Sequence, residues 1–121
     1  MDNIVLVKRI MTKEYYNVKL KDGNETQVWE VEKVLAFSVV LKSLKVDPII
    51  VAGYFYAFAR FCDVFEYVAR AGRKDIKTTE EDIAKARDNL QQIQDKEFLS
   101  FMIEELCKMT DIGEEIKKLI D

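Results

Sequence analysis

The spacing of apolar residues changes near residue 32. Before it, Tyr16, Val18 and Leu20 alternate with Tyr15, Asn17, Lys19 and Lys21, the period-two rhythm of a strand, and residues 26–31 resume a β-prone pattern. Between them Asp22-Gly23-Asn24 supplies residues that tolerate positive φ. This predicts an antiparallel hairpin, with residues 3–10, led by Ile4-Val5-Leu6-Val7, as a third strand. Trp29, at the end of the hairpin, is expected to anchor core or interface.

Beyond residue 32 the period lengthens. Val34, Leu35, Ser38, Val39, Leu41 and Lys42 fit a helix that ends between Ser43 and Val46. Asp47 is placed to cap a second helix, with Pro48 at its favoured first position, running to about Ala71. Its first half, Ile49 to Phe58, is apolar on nearly every side, which predicts a place in a core or in a homo-oligomer through the 48–65 helix. Its second half is two-faced. Thr78 and Glu81 form a capping-box pattern ahead of a helix carrying Ile83, Ala86, Leu90 and Ile93. Asp95 caps a further helix with Phe98, Leu99, Met102, Ile103 and Leu106, and a short last helix follows Thr110-Asp111. The expected fold is α+β: an N-terminal antiparallel β-hairpin or small sheet followed by a bundle of four to five helices. It is expected as one domain over 1–121, with a hairpin region at 1–31 and a helical region at 32–121.

Composition narrows the function classes. At 121 residues and 49% hydrophobic, the chain can bury a core, and a net charge of −3 argues against bulk duplex nucleic-acid binding. Without histidine it lacks the usual general base and the usual zinc ligand. Cys62 and Cys107, in apolar helical patterns, read as reduced core thiols. Met1-Asp2-Asn3 opens on an acid, unlike a secretory leader. The apolar run from Pro48 is interrupted by Arg60 and Asp63, short of the ~20 residues a span needs. No membrane association and a cytoplasmic location are the expectations.

The best candidate for holding an anion is the stretch Tyr67 to Asp75. Arg70 and Arg73 offer forked donors suited to phosphate, Lys74 adds a mobile charge, and Gly72 lets the backbone bend and present its amides. Lys85 and Asn89 on the following helix complete the candidate set, and Tyr67 with Phe58, Phe61 and Phe65 could form an apolar wall. The plainer reading is a basic helix end that offsets its own dipole and pairs with Asp63, Glu66 or Asp75.

Tyr67, Arg70-Ala71-Gly72-Arg73-Lys74, Asp82-Ile83 and Lys85-Ala86 together resemble the SaV-like phage domain family, small proteins often labelled as of unknown function or as nucleotide kinase. The resemblance spans about residues 62–90. Cys62-Asp63 stand where that pattern has glycine-asparagine, and Glu66 where it has lysine, which reverses the charge offered to a phosphate. The resemblance implies a phage-type origin and a nucleotide-sized anionic ligand. Joined to the cationic stretch and its apolar wall, it leads to the expectation of a protein that binds a nucleotide or cyclic nucleotide without a cofactor and sequesters it as an anti-defence factor in the host cytoplasm. Two alternatives stand beside it. One is a nucleotide kinase-like or pyrophosphohydrolase enzyme, whose magnesium would sit on Asp63, Glu66, Glu81 and Asp82. The other is an anti-CRISPR-like inhibitor that binds a host protein. No P-loop or dinucleotide fingerprint is present, so catalytic residues are not assigned and non-catalytic binding is favoured.

Overall fold

A computed structural model describes residues 16–71 and 76–120. In chain order these form β1 (Asn17–Lys19), β2 (Glu25–Gln27), α1 (Val28–Ser43), α2 (Pro48–Arg70), α3 (Ile76–Gln91), α4 (Lys96–Met109) and α5 (Ile112–Ile120). The α+β class and the helical bundle are as expected. The strand expected at 3–10 lies outside the described residues.

The hairpin closes where its turn residues place it. Val18 faces Thr26 in the antiparallel register, the Leu20 N–H donates to the Asn24 carbonyl at 2.8 Å, and Gly23 sits at φ +92°, a left-handed conformation that favours glycine. The Asp22 carboxylate accepts from the Asn24 N–H at 2.9 Å, an Asx turn. Val18 is fully buried, and the hairpin is tied to the far end of the chain. There the Thr110 hydroxyl donates to the Lys19 carbonyl at 2.8 Å and the Lys21 N–H to the Met109 carbonyl at 2.9 Å.

Residues 28–31 depart from the expected strand. Val28, Val31, Leu35 and Val39 recur at helical spacing and all four are buried, so the chain turns helical at Val28. A continuous apolar stripe outweighs the β-propensity of its individual valines. Of the apolar positions expected to define this helix, Val34 and Leu41 face outward. Trp29 is partly exposed on the first turn of α1.

The helix α2 is the hub. The Asp47 carbonyl accepts from the Ile50 and Val51 amides, and Pro48 stands in the first turn, although the Asp47 side chain makes no capping bond. From Ala57 onward, Phe61, Val64, Phe65 and Val68 are buried, and α2 packs against each of the other four helices. One turn earlier Tyr54 stacks flat on Phe98 of α4, ring centroids 4.1 Å apart. α3 begins at Ile76, two residues before the expected Thr78 cap, whereas Asp95 caps α4 as expected, its carboxylate 2.9 Å from the Phe98 N–H. α5 folds back so tightly that a Cβ at Gly113 would lie 2.7 Å from the Cys107 backbone nitrogen.

Candidate functional surfaces

The end of α2 and the first turns of α3 bring part of the expected anion site together. Arg70 Nε and Nη2 donate to the two carboxylate oxygens of Asp82 at 3.1 and 2.8 Å, and Nη1 donates to the Tyr16 hydroxyl at 3.3 Å. The Asp82 side chain is 3% exposed and that of Arg70 20%, so the fork-to-fork pair is largely withdrawn from water. These bonds hold the Arg70 guanidinium above its ordinary pKa. Arg70 therefore spends its fork on its own chain. The Tyr67 ring has two cations against it, Arg70 Cζ at 5.2 Å and Lys85 Nζ at 5.6 Å from its centroid. Asn89 sits a turn further along, with its amide donating to the Lys85 carbonyl at 2.9 Å and accepting from Arg60 at 3.1 Å. Gly72, Arg73 and Lys74 lie outside the described residues.

Three participants, Tyr16, Arg60 and Asp82, were not among the expected binding residues. Arg60 reads in the sequence as an interruption of an apolar run, and Asp82 as a possible magnesium ligand. A basic residue ending one helix and an acid early in the next was the available signal for the Arg70–Asp82 pair. With Asp82 engaged by Arg70, the acids proposed for magnesium divide. Among the described residues no group of three or more acidic or cysteine side chains is placed to hold a metal ion.

A second cluster lies between α1 and α2. Burial, then the hydrogen bond and charge of neighbouring Glu66, push the Glu32 carboxyl up to about 9, with Asp63 adding repulsion and the Cys62 thiol easing it. Among the described residues Glu32 Oε2 is buried without a hydrogen-bond partner, and a proton shared between the two carboxyls satisfies the contact with Glu66. The Cys62 thiol is raised too, by burial first and then by Glu32 and Glu66. Cys62 is thus held as a neutral thiol.

The third feature is apolar and faces water. On α1, Val34, Phe37, Val40 and Leu41 lie away from the core, and Leu44 continues that side past the helix end. On the first half of α2, Ile49, Ile50, Phe55 and Tyr56 are exposed, with Phe37 at 73% and Ile49 at 83%. From Val34 to Ala59 the only charged residues are Lys42, Lys45 and Asp47, and Lys42 is drawn over the Phe101 ring of α4 at 4.7 Å. The all-round apolarity of residues 49–58 is therefore not consumed by the core that the described residues form. α2 is also long and apolar enough, by length and composition, to cross a membrane.

The molecule so defined is a hairpin capping a helical bundle, with a cation-flanked tyrosine at one place and an uncovered apolar helix pair at another. Comparison with protein-family models, with characterised proteins and with solved structures finds no match.

Proposed function

We propose that this protein is a non-catalytic binding protein that works by protein–protein contact through the outer face of the α1–α2 helix pair. The observation that supports this reading is the exposure of nine large apolar side chains on adjoining helices, on a stretch with three charges between Val34 and Ala59. Uncovered apolar surface of that extent marks an interaction site, and a face this poor in charge offers contact rather than chemistry. The sequence-level alternative of a protein-binding inhibitor of a host defence complex belongs to this class. The test compares tagged full-length chain with a Phe37→Glu, Leu41→Glu double variant, purified from the producing cells. The native chain is expected to retain at least one protein, another copy or a different chain, that the variant loses while keeping its circular dichroism. Identical protein sets on both would overturn the reading.

A second reading, binding of a nucleotide by a phage-type anti-defence factor, is favoured by Arg70 and Lys85 flanking Tyr67. Exposed Lys85 suits a phosphate beside the ring, while Arg70 stays with Asp82. Calorimetric titration with mono-, di- and cyclic nucleotides is then expected to show binding that Lys85→Ala weakens about tenfold, in line with the loss of one charge-assisted contact. No heat with any nucleotide removes this reading and leaves the first untouched.

A further inference from the structure

We infer that the occupant of the α1–α2 face is a second copy of this chain, docked about a two-fold axis. The inference rests on the protein-contact reading above and adds the partner. Three observations on the face carry it.

The first is area. At ~200 Å² for a fully exposed large side chain, the exposed Phe37, Val40, Leu41, Leu44, Ile49 and Phe55 present on the order of 800 Å² of apolar surface. That exceeds the largest patch of a typical monomer, about 300–600 Å², and matches the ~800 Å² that each partner contributes to a standard interface. The face is as large as a stable dimer of so small a chain requires.

The second is shape. The outward side of α1 is a row of knobs, Phe37, Leu41 and Leu44, at spacings of four and three. The outward side of α2 carries small residues, with Ala52 and Ala59 both exposed. A two-fold axis sets the knobs of each copy against the trough of the other, the reciprocal contact that an isologous interface demands.

The third is charge. Burying the same face in a bilayer would carry the α1–α2 connection inward first, and with it the exposed Lys45 and Asp47. Charges are strongly disfavoured there, whereas at a protein interface both remain on the wet rim. The lower half of α2 is moreover committed to the core through Phe61, Val64, Phe65 and Val68.

The experiment is analytical ultracentrifugation of the purified full-length chain from micromolar to several hundred micromolar, with flotation on phosphatidylcholine and phosphatidylglycerol vesicles alongside. The native chain is expected to sediment as a dimer of the 14.1 kDa protomer. Phe37→Glu and Leu41→Glu are each expected to weaken association about 100-fold, the scale of an interface hot spot, with helical circular dichroism retained. A chain monomeric throughout that range overturns the inference, as does a dimer indifferent to both variants, or vesicle binding without a dimer. If the chain is monomeric but the face still retains a different protein from cells, the second copy is wrong and the contact surface stands.

Discussion

Replacing Arg70 with alanine is expected to lower the unfolding free energy by about 3–5 kcal/mol, the usual cost of stripping the partner from a buried charge. Asp82 is 3% exposed and accepts both Arg70 bonds at 3.1 and 2.8 Å, so in Arg70→Ala its carboxylate either stays buried and unpaired or drags the start of α3 open to reach water. The loss is a large share of the roughly 5–15 kcal/mol that holds a domain of this size together. Urea denaturation followed by circular dichroism measures it. Arg70→Lys should recover only part, because an ammonium cannot reproduce the paired geometry of the fork. Replacing both residues, as Arg70→Met with Asp82→Leu, should recover most of it, since apolar groups can fill the place of a buried ion pair at little cost. A single alanine variant as stable as the native chain would sink the structural assignment and return Arg70 to the ligand.

Between pH 4.5 and 9 the protein is expected to lose stability, and Glu32→Gln is expected to abolish most of that loss. The folded carboxyl of Glu32 is raised from 4.5 to about 9. A raised folded pKa means the native state keeps a proton that the unfolded chain releases. The Glu32 contribution is thus greatest below 4.5, falls as pH climbs, and reaches its floor once the folded group ionises near 9. At neutral pH the lost contribution is about 1–3 kcal/mol, each pH unit inside the window being worth at most ~1.4 kcal/mol before structural relaxation. Glutamine donates to Glu66 at every pH and carries no charge, so its melting temperature at pH 8 should exceed that of the native chain by several degrees. The readout is melting temperature across pH in buffers of constant ionic strength. Parallel profiles for the two proteins would show that Glu32 and Glu66 reach water independently.

Much of the fold is legible in the order of residues alone. The Asp22-Gly23-Asn24 turn, the Pro48 helix start and the Asp95 cap all act within a turn or two of themselves, and each is found where the residues place it. The start of α1 is not legible, because Val28 and Val31 satisfy a strand as readily as a helix over so few residues. Thr78 and Glu81 fit a capping box, but the helix begins two residues earlier. The candidate anion site is legible as a cluster of cations and not as a set of bonds. Arg70 is drawn to Asp82 and Tyr16, while Lys85 joins it at Tyr67 and Asn89 turns to Arg60.

What the sequence by itself determined is the hairpin-then-helices order, the turn and capping chemistry, and a central helix with more apolar surface than a chain of this length needs. These follow from preferences expressed over four or five neighbouring residues. Only the tertiary structure decided that the core covers the second half of α2 and leaves Ile49, Ile50, Phe55 and Tyr56 of the first half exposed, that Glu32 meets Glu66 across two helices, and that Arg70 closes on Asp82. Those pairings depend on how whole helices dock, and docking is chosen by the sum of many buried contacts that no local pattern encodes.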